Sequence, residues 1–174
     1  MKESDALENN PHVSRSALEA LHSQVYGWAL SRCDFDHATA EDLMQQTYVE
    51  LLSGNARFDK KSSLKTFVFS VVQNLAKSRY RRLATRLRLV RTYRQDVAGE
   101  QVVDGETPID DGVWRTVRAL PARQRDIIEL VFCRDLTVEQ ASAVMGVSVG
   151  TGRQHYDRAK KALRERLRAF AEEE

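Results

Sequence analysis

Arg153, Gln154, Asp157 and Arg158 recur at the spacing of one helical face. Arginine and glutamine can present paired hydrogen bonds to base edges in a DNA major groove, and an aspartate can accept from a cytosine amine. The residues before them supply a frame. Over residues 120–158 the chain reads LPARQRDIIELVFCRDLTVEQASAVMGVSVGTGRQHYDR. That is two helical patterns, a tight turn at Met145-Gly146-Val147, and a third helix carrying the polar face. The layout is a helix-turn-helix, in which the helix after the turn enters the groove. Thr137, Val138, Glu139 and Gln140 form a capping box that marks the start of the first motif helix. Ser148 can cap the last helix, leaving Gly150 and Thr151 in a first turn whose N–H groups can meet a phosphate.

Charge is segregated rather than balanced. The net charge is only +2, yet residues 77–94 hold eight cations (Lys77, Arg79, Arg81, Arg82, Arg86, Arg88, Arg91, Arg94) and no acid. Such a block attracts phosphates and gains entropy by releasing their counterions. Residues 95–111 reverse the sign, with six acids (Asp96, Glu100, Asp104, Glu106, Asp110, Asp111), no cation, and Gly99, Gly105 and Pro108. That composition buries little apolar surface and predicts a flexible linker between two domains.

The elements that must position these groups have helical period almost throughout. Residues 14–33 place Ala17, Leu18, Leu21, Val25, Trp28 and Ala29 at three-and-four spacing. Thr39, followed by Ala40, Glu41 and Asp42, predicts a capped helix to about Leu52, burying Leu43, Met44, Thr47 and Leu51. Ser62 or Ser63 opens a longer helix with Leu64, Phe67, Val68, Val71, Val72 and Leu75 as its stripe, running on into the basic block. Phe67, more than Phe69, is expected to pack in the core. In the second half, Val113, Trp114, Val117 and Leu120 form an apolar face. Ile127, Ile128, Leu130 and Val131 follow Pro121, and Tyr156, Ala159, Leu163, Leu167 and Phe170 line the last helix. No strand-like alternation is evident. The expected fold is all-α: two small helical domains joined by a flexible acidic linker, the second containing the helix-turn-helix. The expected bounds are 1–94, 95–111 and 112–174.

Several classes are set aside. No run of about 18 apolar residues exists, so no membrane insertion is expected. The N-terminus lacks an apolar signal core, which points to a cytoplasmic protein. Cys33 and Cys133 stand alone as structural thiols, and His12, His22, His37 and His155 lack ligand spacing; neither a metal nor another cofactor is expected. No nucleophile–base pair or phosphate loop suggests an enzyme.

Leu120-Pro121, Arg123, Arg125, Val149-Gly150-Thr151-Gly152-Arg153 and Arg158-Ala159-Lys160 together resemble region 4 of the extracytoplasmic-function sigma factors of RNA polymerase. Residues 39–48 (TAEDLMQQTY) resemble the same family's region 2 helix, and residues 64–77 (LKTFVFSVVQNLAK) its phenylalanine-rich helix ending in an asparagine-x-alanine step. The resemblance covers about residues 17–168. It implies that Glu41, Asp42, Gln45 and Gln46 dock on the β′ clamp of core RNA polymerase. It further implies that Asn74 captures a flipped base of the −10 element in melted DNA, with Ser70, Lys77, Arg79, Tyr80, Arg81 and Arg82 lining the strand. Thr151, Arg153, Gln154, Asp157 and Arg158 would read the −35 element, beside a contact to the β flap. The implied partners are thus core polymerase, promoter DNA and an anti-sigma factor. The protein itself would catalyse nothing.

Two departures from the family bear on this. Gln46 stands where a glutamate is usual, and Gly152 where a valine normally packs the motif helices together. Gly152, with Ala141 and Ser142 in place of isoleucine and alanine, predicts a looser motif. The competing readings are a helix-turn-helix regulator that acts without polymerase, and a sigma mimic that sequesters an anti-sigma factor. The first gives no role to Asn74 or to the face of residues 41–46; the second predicts no promoter-dependent RNA synthesis.

Overall fold

The computed structural model describes residues 6–93 and 112–172, with side chains for 6–88 and 114–168. The expected linker 95–111, Arg94, and the side chains of Arg91, Val113 and Phe170 lie outside what is described. Helices dominate, and the chain divides into two units, Met1–Glu106 and Thr107–Glu174.

In the first unit, helix α1 (Arg15–Ser31) begins where the Ser14 hydroxyl accepts the Ala17 N–H at 3.1 Å. Helix α2 (His37–Leu52) starts two residues before the expected Thr39. Its cap is Asp36, whose carboxylate accepts the Thr39 N–H at 2.7 Å, so Thr39 is the donor rather than the cap. Helix α3 (Leu64–Tyr93) opens with Ser63, whose hydroxyl accepts from the Thr66 N–H at 3.1 Å, and runs 30 residues into the basic block. The three helices bury Leu18, Val25 and Trp28 from α1, Leu43 and Leu51 from α2, and Val68, Phe69 and Val72 from α3. Trp28 stacks on Phe69 at 5.9 Å between centroids, and its indole N–H donates to the Phe69 carbonyl at 3.2 Å. The expected roles of the phenylalanines are therefore exchanged. Phe69 is the sealed core ring, while Phe67 is half-buried against Phe58 at 5.2 Å.

The all-helical expectation also missed a small antiparallel hairpin, β1 (Ala6–Leu7) with β2 (Asn10–Ser14). These strands are too short to show alternation. They are held by the buried Asn10 side chain, whose amide donates to the carbonyls of Leu51 (2.5 Å) and Ala56 (2.8 Å) and accepts the Phe58 N–H (3.0 Å). One amide thus bonds three backbone groups in the last turn of α2 and just beyond it.

The second unit comprises α4 (Gly112–Arg118), α5 (Ala122–Ile128) continuing as a π-helical turn over Glu129–Cys133, α6 (Val138–Met145) and α7 (Val149–Glu172). Val117, Leu120, Ile128 and Ala159 form a core, with Tyr156, Ala162 and Leu163 packed on it. Trp114 and Leu167 are exposed and Val131 is only half-buried, against expectation. For Leu167 the reason is length: α7, at 24 residues, outruns the much shorter helices that cover it.

Candidate nucleic-acid interface

The turn between α6 and α7 is built from local chemistry. Thr137 and Gln140 form the reciprocal capping box, with side chain–backbone bonds of 3.2 and 2.9 Å. Gly146 ends α6 at φ 68°, a left-handed conformation that glycine adopts without a Cβ penalty. The Ser148 hydroxyl then accepts the Thr151 N–H at 3.1 Å and starts α7.

On α7 the buried side is Gly152 and Ala159, with Tyr156 and Leu163 half-buried, so the opposite side is turned to solvent. Thr151, Arg153, Gln154, Asp157 and Arg158 are all exposed there. Arg153 bonds Glu139 of α6 at 2.8 Å, and this hydrogen bond holds the Glu139 carboxyl below its usual range. Asp157 pairs with Lys160 at 3.2 Å. Lys160 also lies 4.3 Å over the Tyr156 ring.

Gly152 corrects the expectation of a looser motif. It is buried, and a Cβ placed on it would overlap the Ser142 hydroxyl, approach Ser142 Cβ to 3.0 Å and reach Ile127 Cδ1 at 3.5 Å. The space a valine would fill is occupied from the other helix. The Ser142 hydroxyl meanwhile donates to the Val138 carbonyl at 2.6 Å, so its polar atom is satisfied.

On α3 the helical register divides the candidate strand-binding residues. Ser70, Asn74, Lys77 and Arg81 recur at four, three and four residues, which is one face. Asn74 and Arg81 are exposed; Ser70 and Lys77 are half-buried, and the Ser70 hydroxyl donates to the Thr66 carbonyl at 2.8 Å. Arg79, Tyr80 and Arg82 are exposed but lie round the helix from that face. Arg79 points toward the α1–α2 turn, near enough to Cys33 and Asp36 to act on their charge. The Asp36 carboxyl is held below its usual range chiefly by hydrogen bonding from Thr39. Gln73, one residue before Asn74, is buried, and its carbonyl oxygen has no hydrogen-bond partner among the described residues.

On α2, Glu41, Asp42, Gln45 and Gln46 share an exposed face. The Gln46 amide donates to Glu50 at 2.9 Å. Sequence reasoning missed two members of this face: Val49, 53% exposed, and Leu52, 49% exposed. Both continue the three-and-four spacing from Gln45, a signal that was available. Among the described residues no helix is long and apolar enough to cross a membrane.

Comparison with known proteins agrees with this division. Residues 17–86 match the sigma-70 region 2 family model and residues 117–165 the sigma-70 region 4 model. The chain is 27% identical over 163 residues to the ECF RNA polymerase sigma factor SigC of Mycobacterium tuberculosis, covering 91% of this chain and 85% of that one. It is 26% identical over 146 residues to SigX of Bacillus subtilis, an ECF RNA polymerase sigma factor, covering 79% and 75%. Among solved structures it resembles the sigma factor RpoE of Bartonella quintana, determined in complex with the anti-sigma factor NepR. There the TM-score is 0.68 at 25% identity, over 88% of this chain and 96% of that one. With both units matched in order along one chain, the protein belongs to the extracytoplasmic-function group of sigma-70 RNA polymerase sigma factors.

Proposed function

We propose that this sigma factor joins core RNA polymerase through the exposed α2 face, opens the −10 element with α3, and reads the −35 element with α7. One observation carries the assignment: a helix-turn-helix shares the chain with a second unit whose long helix aligns an exposed asparagine, Asn74, with Lys77 and Arg81. Cations along a helix hold the backbone of a single strand, and an amide beside them can read an unstacked base. Duplex-only regulators have no use for that combination. Ser70 supports this face, Arg79 and Arg82 extend the positive field round the helix, and Tyr80 lines the strand with a ring on which a base can stack. On α2, Glu41, Asp42, Gln45 and Gln46 lead along the exposed face to the apolar Val49 and Leu52, so polar and apolar contacts lie side by side. On α7, Arg153, Gln154 and Arg158 meet base edges, Thr151 a phosphate, and Asp157 tempers Lys160.

The functional units are residues 1–94 and 112–174, with 95–111 as the connector. The protein works in the cytoplasm, catalyses nothing itself, and is held inactive by an anti-sigma factor, as the Bartonella relative's complex suggests. Transcription with purified core polymerase on genomic fragments tests the whole reading. Start sites that depend on this chain are expected. Their absence, with tight duplex binding by the chain alone, would favour a polymerase-independent regulator.

A further inference from the structure

The core seam of α3 does not stop where the bundle stops. Beyond the buried Phe69 and Val72, the half-buried Ala76 is followed by Tyr80, Leu83 and Leu87, which are 74%, 54% and 57% exposed. The steps from Ala76 are four, three and four residues, a strict heptad seam. Exposed leucines offer nothing to a phosphate backbone, and the Asn74–Arg81 face lies elsewhere on the helix, with Lys77 on the border between that face and the seam.

Taking Tyr80 and Leu87 as a positions and Ala76 and Leu83 as d positions fixes the flanks. Lys77 and Ala84 occupy e, and Arg79 and Arg86 occupy g. In a coiled coil those positions choose the partner. Antiparallel pairing with a second copy would set Arg79 and Arg86 against arginine, and parallel pairing would set Arg79 against Ala84, so self-pairing gains no complementary charge. A membrane-binding helix needs a broad apolar face, whereas this stripe is the narrow two-per-heptad seam of helix pairing.

We propose that the exposed part of α3 is a coiled-coil docking surface for a helix of another protein, one with apolar a and d residues and glutamates at e and g. Tyr80, Leu83 and Leu87 supply the seam, and Lys77, Arg79 and Arg86 select the acidic partner. A partner seated there covers the flank bearing Arg79 and Tyr80 while leaving Asn74 on its own face.

The test uses the full chain and three synthetic three-heptad peptides. One carries leucine at a and d with glutamate at e and g; one replaces those glutamates by lysine; one scrambles the glutamate peptide. The glutamate peptide should bind and gain helicity, and the other two should bind at least about tenfold more weakly. Leu83→Asp with Leu87→Asp should abolish binding with helicity of the chain retained, since both sites are exposed. Arg79→Glu with Arg86→Glu should turn preference toward the lysine peptide. Equal binding of the scrambled peptide, undiminished binding by the aspartate variant, or failure of the glutamate peptide would overturn the proposal. Binding of the chain to anionic vesicles in place of the peptide would reassign the seam to a membrane surface.

Discussion

Gly152 of α7 and Ser142 of α6 interlock: the serine hydroxyl occupies the space into which any Cβ at position 152 would project. The two substitutions that each look like a loss from the family pattern are one packing solution. A glycine inside a helix costs about 1 kcal/mol against alanine. Here that cost admits a hydroxyl from the facing helix, which bonds back to Val138. The consequence is a close approach of the two motif helices rather than a loose one.

The interlock predicts non-additivity. Gly152→Ala should destabilise the second unit by about 1–3 kcal/mol despite its better helix propensity, because it overpacks the contact. In a Ser142→Gly background the same change should cost far less or become favourable. Urea denaturation of the four chains gives the coupling energy. Additive effects, within roughly 0.5 kcal/mol, would show that the contact does not govern packing.

Much of this was legible beforehand, and the misses share a cause. Helix starts announced by a side chain's own backbone bond, at Ser63, Thr137 and Ser148, could be found because the chemistry is local. Thr39 reads as the cap of α2, but Asp36 takes that role, which only the chain's path between α1 and α2 decides. Phe67 against Phe69, and the meaning of Gly152, depended on which residue faces which across helices. A helical stripe three residues wide does not carry that information. Val49, Leu52, Leu83 and Leu87 were visible as periodic apolar residues, but their exposure depends on where the neighbouring helices end.

The faces of α2 and α3 should separate kinetically. Asp42→Arg or Val49→Asp should weaken core polymerase binding by about tenfold while leaving the fold intact, since both side chains are exposed. Asn74→Ala should leave core affinity unchanged and reduce opening of the −10 region by about tenfold, the scale of one base contact at roughly 1–3 kcal/mol. Core affinity by fluorescence anisotropy and opening by permanganate footprinting read the two steps. Equal core affinity for Asp42→Arg and the parent would refute the α2 assignment.

Arg153 and Glu139 give a pH signature. The hydrogen bond from Arg153 lowers the Glu139 carboxyl in the folded protein. Its stabilising contribution is therefore complete above the ordinary glutamate value and disappears as pH falls through the depressed folded value. Carbon-detected NMR titration should place Glu139 below the ordinary glutamate value, and Arg153→Ala should return it to that range. A Glu139 carboxyl unmoved by that substitution would mean the pair is not formed in solution.

The two thiols should be sluggish. Partial burial pushes Cys33 upward, and desolvation with the nearby Glu129 carboxylate pushes Cys133 the same way. The thiolate is the reactive form, so both should alkylate slowly near neutral pH and accelerate only as pH rises above the ordinary thiol value. Mass-spectrometric labelling with iodoacetamide over a pH series measures this. Rapid neutral labelling at Cys133, the exposed one, would instead point to an oxidant-responsive site.

Asn10 is the least conspicuous residue with the most to lose. Its amide satisfies the Leu51 and Ala56 carbonyls and the Phe58 N–H, so it closes the end of α2 and ties the hairpin to the loop leading toward α3. Asn10→Ala strands the part-buried Ala56 carbonyl and Phe58 N–H and leaves the Leu51 carbonyl only its 3.3 Å bond from the Gly54 N–H, and an unsatisfied buried group costs about 1–3 kcal/mol. Asn10→Asp keeps the acceptor for Phe58 but sets a carboxylate against two carbonyls, so it should be at least as damaging as alanine. Neither change touches the α2 face or Asn74. The expected result is a lowered melting temperature of the first unit with core affinity retained below the transition. Hydrogen exchange should then quicken first at Phe58 and over residues 6–14. Uniformly faster exchange throughout α1, α2 and α3 would mean that Asn10 supports the whole bundle rather than this one corner.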